Sequence, residues 1–130
     1  MSRPLTVLLA GNPNVGKSTV FNTLTGMHQH TGNWTGKTVA LARGSYRYKG
    51  RDYELTDLPG TYSLDARSQE EQVARDALIQ GDFDCVVVVC DATCLERNLI
   101  LTYQILRHIR KVVVLVNLLD EAKRRGIQVD

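Results

Sequence analysis

Gly11-Asn12-Pro13-Asn14-Val15-Gly16-Lys17-Ser18 is a Gly-x4-Gly-Lys-Ser stretch with a telling setting. The apolar run Leu5 to Ala10 before it reads as a buried strand, and Thr19 to Thr25 after it has helical character. The glycines let the backbone curl so that successive N–H groups point at phosphate oxygens. The start of the helix adds a partial positive charge at the same place. On this reading Gly11, Asn12, Pro13, Asn14, Val15, Gly16, Lys17, Ser18 and Thr19 cradle the phosphates. Lys17 reaches the outer phosphates, and the Ser18 hydroxyl binds Mg²⁺.

Outward from this loop, strands and helices alternate, which predicts an α/β fold with a mostly parallel sheet and helices on both faces. Strands are expected at 4–10, 38–48, 51–57, 84–90 and 111–117, and helices at 17–26, 69–80, 95–109 and 118–125. The second and third strands are separated only by Lys49-Gly50, so they must form an antiparallel hairpin, because a parallel pair needs a long crossover. Tyr46, Tyr48 and Tyr53 suit strands. Ser68 and Glu71 form a capping box that starts the second helix. Ile100, Tyr103, Gln104 and Arg107 trace one row of the third, with a mixed apolar signal. Two long connections, Met27 to Lys37 and Pro59 to Arg67, lie beside the strand ends where an open parallel sheet takes its ligand.

A chain of 130 residues is one domain with room for a core. The net charge of +2 gives no argument for a nucleic-acid partner. Met1-Ser2-Arg3-Pro4 leads into a strand without a signal-peptide pattern. The apolar runs Cys85 to Cys90 and Val112 to Val116 are far too short to span a membrane. Cys85, Cys90 and Cys94 read as small core hydrophobes of a reducing compartment, with a Cys90-x3-Cys94 metal site as the sharper alternative.

Two further motifs follow. Asp57-Leu58-Pro59-Gly60 closes the third strand. An aspartate there matches the acidic residue that holds Mg²⁺ in phosphate-loop enzymes, and Gly60 leaves its N–H free to approach a terminal phosphate. Asn117-Leu118-Leu119-Asp120 closes the fifth. Guanine presents a ring N–H and an amino group side by side, so one carboxylate, Asp120, accepts both. Adenine would leave that carboxylate unpaired. Asn117 would brace the loop and touch the base, or one of the two acidic and amide side chains would simply cap the next helix. Leu118 stands where lysine is more usual.

In order and spacing these motifs resemble those of the small GTP-binding proteins. The intervening segments Thr31-Gly32-Asn33-Trp34-Thr35-Gly36-Lys37-Thr38-Val39 and Asp57-Leu58-Pro59-Gly60-Thr61-Tyr62-Ser63-Leu64 narrow the resemblance to the cytoplasmic GTPase domain of the ferrous iron transport protein B (FeoB) family. It covers essentially the whole chain. The resemblance implies a GTPase switch domain (residues 1–130) at the cytoplasmic face of the cell membrane, binding GTP or GDP with Mg²⁺. A helical domain and a polytopic domain moving Fe²⁺ would follow in the full-length protein. A second copy of the chain is a further candidate partner.

The resemblance makes Thr38 the first-switch threonine on Mg²⁺, with Thr35 as the alternative, and puts Lys17, Thr38 and Gly60 at the reacting phosphate. Thr61 stands in a glutamine's place and is too short to orient water, so slow hydrolysis is expected. Asn14 matches the asparagine that binds K⁺ in potassium-dependent relatives, with Gly32 and Trp34 as further candidate K⁺ ligands; the competing reading is that Asn14 satisfies a turn. His28 and His30 read as solvated loop histidines against an iron-sensing pair, and Trp34 as a loop anchor against a membrane or partner contact. The family's pattern also implies a further helix, strand, base-binding loop and final helix beyond Asp130, so the domain is expected to be truncated and its fifth strand to be an exposed edge. A soluble ribosome- or tRNA-associated GTPase is the rival reading.

Overall fold

The computed structural model describes residues 3–33, 40–65 and 67–128. Six strands form one sheet: β1 Leu5–Gly11, β2 Gln29–Asn33, β3 Ala40–Tyr48, β4 Arg51–Asp57, β5 Cys85–Asp91 and β6 Val112–Asn117. Among the described residues the helices are α1 Lys17–Thr25, α2 Gln69–Gln80, α3 Leu95–Leu106 and α4 Leu119–Arg124, with a 3-10 turn at Ala92–Cys94. Spatial order is β2-β3-β4-β1-β5-β6. β4, β1, β5 and β6 are parallel, and β3 runs against both of its neighbours.

The strand alternation of β1 and β5 builds two half-cores. Leu8, Ala10, Val86, Val88 and Cys90 point to the face carrying α2 and α3, where Val73, Ala77, Leu101 and Ile105 meet them. Val7, Leu9 and Val89 point to the other face, where Phe21 of α1 packs. The hairpin turns at Lys49-Gly50 with φ of 50° and 77°. Positive φ at both central residues matches the twist of the flanking strands. Across the hairpin the rings of Tyr46 and Tyr53 stack 4.9 Å apart. The Ser68–Glu71 capping box is present at the start of α2.

The structure adds to or departs from the sequence reading in three places. The connection Met27 to Lys37 is not wholly a loop, since Gln29–Asn33 pairs antiparallel with β3 as an edge strand. Its side chains from Gln29 to Thr31 are exposed, so no apolar alternation marks it. The buried row of α3 is Asn98, Leu101, Thr102 and Ile105, while Ile100 and Tyr103 of the sequence-derived row face solvent. Helix α3 also ends at Leu106, three residues early. Residues 38 and 39, expected to open the second strand, lie outside the described residues.

β6 is an edge, and Val113 and Val114 on it are exposed. Cys90 is fully buried, whereas Cys85 and Cys94 are half-buried, and all three are free thiols. Among the described residues no group of His, Cys, Asp and Glu is arranged to hold a metal without other donors. No helix among them is long and apolar enough to cross a membrane.

Candidate functional site

Every motif lies at the carboxyl edge of the sheet because each follows a parallel strand: the phosphate loop after β1, Asp57 at the end of β4, Asn117 at the end of β6. Neighbouring strands fix their spacing, with Leu9 opposite Asp57 and Asp91 opposite Asn117. The edge of an open parallel sheet leaves a crevice there.

The loop geometry follows from its residues. Gly16 has φ 83° and precedes α1 without any side-chain cap, and the first turn of α1 holds no acidic residue. The helix's first N–H groups and its positive end therefore remain for an anion. A Cβ on Gly11 would come within 2.7 Å of Val89 O. Asn14 has φ 64°, a left-handed conformation that asparagine tolerates better than most residues. Asn12 is 4 % exposed, and its Oδ1 has no hydrogen-bond partner.

The segment after β4 folds back onto the loop. Leu58 N donates to Leu9 O and Thr61 N to Gly11 O, both at 3.0 Å. These bonds seat Gly60 against Pro13, where a Cβ would lie 3.0 Å from the proline Cα and N. Only glycine fits without a shift. Lys17 Nζ donates to Asp57 Oδ1 and, at 2.6 Å, to Leu58 O. The cleft between loop and segment has a volume of about 550 Å³, lined among others by Asn14, Lys17, Ser18, Gly60 and Glu70.

Thr61 is 1 % exposed and turned inward. Its one hydroxyl hydrogen is shared between two acceptors, Ser63 O at 2.7 Å and Glu71 Oε2 at 3.1 Å. Glu71 also accepts from Arg67 N and Ser68 N. The Thr61 hydroxyl, foremost among these donors, holds the Glu71 carboxyl below the usual range. The capping box thus ties α2 to the turn after Gly60. Sequence reading found the box but not this link, which depends on the turn folding back over ten residues.

Asn117 Nδ2 donates to Val15 O at 3.0 Å, so it braces the phosphate loop. A Cβ on Gly16 would collide with that amide. Leu118 takes φ 64° as the residue before α4, and neither it nor Asn117 caps the helix with a side chain. Asp120 sits in the first turn of α4, exposed, beside a second cleft of about 520 Å³ lined by residues 116–121 and Arg124. At the end of β5, Asn98 is 3 % exposed; its Oδ1 accepts from Asp91 N and its Nδ2 donates to Cys94 O. That polar bracket holds the turn after β5, and only its burial reveals it.

Of the remaining expected residues, Gly32 pairs with Leu41 on the edge strand. Ser18 and Thr19 are exposed at the start of α1. His28 and His30 are exposed. Trp34, Thr35 and Thr38 lie outside the described residues.

Comparison with known proteins places this architecture. The model of the family described as ferrous iron transport protein B matches residues 5–130. The chain belongs to the ferrous iron transport protein B family. The Fe(2+) transporter FeoB of Campylobacter jejuni is 44% identical over 128 residues, covering 98% of this chain and 21% of its own length. This chain therefore spans about a fifth of that FeoB relative. Among solved structures, the cytosolic domain of T. maritima FeoB in a GDP form is 45% identical, with TM-score 0.94, covering 100% of this chain and 51% of that one. The GMPPNP form of the same domain is 46% identical with TM-score 0.91, covering 97% and 50%. The FeoB likeness fixes the phosphate-loop GTPase fold, a mostly parallel sheet in which β3 is the antiparallel member.

Proposed function

We propose that this chain is the GTP-binding and GTP-hydrolysing domain of a ferrous iron transporter. The observation that carries the reading is the convergence of the phosphate loop, Asp57, Gly60, Asn117 and Asp120 on one edge of the sheet. GDP and GMPPNP forms of FeoB relatives support the guanine nucleotide, and family membership favours this reading over a soluble ribosome- or tRNA-associated GTPase.

The nucleotide's phosphates lie on the Gly11–Thr19 loop, met by backbone N–H groups and Lys17. Asp120 accepts the two donors of guanine, and Asn117 holds the loop at the distance the base requires. The donor set fits Mg²⁺: Ser18 offers a hydroxyl, and the Asp57 carboxylate already accepts a cationic group, the Lys17 ammonium. Mg²⁺, when bound, neutralises charge shared by the β- and γ-phosphates; Ser18, Asp57 and Thr38 would hold it. The Gly60 N–H and Thr38 engage the γ-phosphate in the triphosphate state, ordering both switch segments, and lose that partner after hydrolysis. Asn14, with Gly32 and Trp34, would hold K⁺ beside the phosphates and raise an otherwise slow rate. In the full-length protein the domain would sit on the cytoplasmic side of the membrane and bias Fe²⁺ movement.

Competition binding tests the base assignment. GTP should displace a fluorescent GDP far better than ATP does, and Asp120→Asn should weaken guanine and improve xanthine nucleotides, because the amide donates to the xanthine oxygen. Equal competition by ATP refutes the reading.

A further inference from the structure

Gln104 belongs to the row of α3 traced in the sequence. Its neighbours there, Ile100, Tyr103 and Arg107, are exposed, whereas Gln104 is half-buried. Its Oε1 accepts from Leu64 N at 2.6 Å, across 40 positions of chain. A main-chain N–H needs an acceptor, so the amide turns its oxygen toward Leu64. Helix α3 is a firm base for this contact, because Leu101 and Ile105, on either side of Gln104, are fully buried in the core. The turn after Gly60 is therefore tied at two points. Thr61 N donates to Gly11 O of the phosphate loop, and Leu64 N donates to α3. Between these ties the Thr61 hydroxyl is shared by Ser63 O and Glu71. Leu64 is four residues beyond Gly60, so freedom gained at one is felt at the other.

We propose that Gln104 is a positioning residue for GTP hydrolysis: by holding Leu64 N from α3, it fixes the turn that presents the Gly60 N–H to the γ-phosphate. This rests on the reading of the cleft as a GTPase site. Gln104 touches neither the nucleotide nor the reacting atoms and acts only through the main chain of the turn. Its influence belongs to nucleotides with a third phosphate, since the Gly60 N–H has no γ-phosphate to meet in GDP. The chemistry needed is an acceptor oxygen at the end of a two-methylene arm. Glutamate keeps that oxygen and that reach. Asparagine is one methylene short. Leucine has similar bulk but no acceptor, and it leaves the Leu64 N–H unpaired.

The test compares single-turnover GTP hydrolysis with calorimetric binding of GMPPNP and GDP, the fold being checked by circular dichroism. Gln104→Leu should slow hydrolysis and weaken GMPPNP about five- to tenfold each, the weight of one neutral hydrogen bond. GDP affinity should stay within about twofold of wild type, whereas a merely structural loss would weaken both nucleotides alike. Gln104→Glu should restore the rate and the GMPPNP preference, and Gln104→Asn should not. Tyr103→Ala, at the exposed neighbour on α3, should change none of the three readings. An unchanged rate and GMPPNP-to-GDP ratio in Gln104→Leu overturns the proposal, as does equal weakening of both nucleotides. If Gln104→Leu does not fold, Gln104→Asn and amide hydrogen exchange decide. The Leu64 N–H should exchange slowly in wild type and fast in Gln104→Asn; fast exchange in wild type overturns the proposal. A wild type that binds neither GDP nor GMPPNP refutes the reading of the cleft itself, so the two failures are told apart.

Discussion

Removing the Asn117 side chain separates what it does for the phosphate loop from what it does for a ligand. Asn117→Ala leaves Val15 O, on a residue 2 % exposed, without its donor. A buried group left unpaired costs about 1–3 kcal/mol. Asn117 itself is half-buried, so partial access of water places the expected loss near the lower end, about 1–1.5 kcal/mol. For a domain of this size that lowers Tm by about 3–7 °C. A ligand must then order the untied loop itself, which weakens binding about tenfold. Urea unfolding of the nucleotide-free protein reads the first effect. Calorimetry with pyrophosphate, which has no base, reads the second, and GDP should lose more than pyrophosphate by whatever Asn117 gives the base. The collision partner of a Cβ on Gly16 is this amide. Gly16→Ala with Asn117→Ala should therefore be less destabilised than the sum of the single changes by about 1 kcal/mol or more. Its residual cost is the φ of 83° at Gly16. Unchanged stability, unchanged pyrophosphate binding and additive single effects would refute the bracing role.

Thr61→Ala should leave single-turnover GTP hydrolysis within a few-fold of wild type, since the hydroxyl points to Ser63 and Glu71, and should cost about 1 kcal/mol of stability; a hundredfold rate loss contradicts it. Hydrolysis should be faster in K⁺ than in Na⁺ at matched ionic strength, and Asn14→Ala should abolish the difference; equal wild-type rates in both salts leave Asn14 with only its turn. Asp84 accepts from Thr6 N and pairs with Arg3, and these hold its carboxyl below the ordinary value. Its contribution to stability is present above the unfolded pKa of about 3.9 and is lost as pH falls through the lower folded value. Asp84→Asn should therefore lower the urea midpoint at pH 7, and the gap to wild type should narrow as the pH falls into acid; a gap that does not narrow contradicts the linkage.

The sequence by itself determined whatever rests on contiguous residues. The phosphate loop, its strand and helix, the hairpin at Lys49-Gly50 and the Ser68–Glu71 box were all legible, because glycine conformation, apolar period and capping are local properties. The alternation of elements also gave the parallel order that brings Asp57 and Asn117 to one edge. Only the tertiary structure decided β2, which forms by backbone pairing to β3 and bears no apolar signature. It likewise decided that Thr61 turns toward Glu71, that Asn98 brackets Asp91, that the bracing expected of Asn117 is made to Val15 O and that Lys17 rests on Asp57. The last two join residues 102 and 40 positions apart. A side chain's type says which bonds it can make, but its partner is chosen by which strand ends the sheet sets side by side, and that choice has no local trace in the chain.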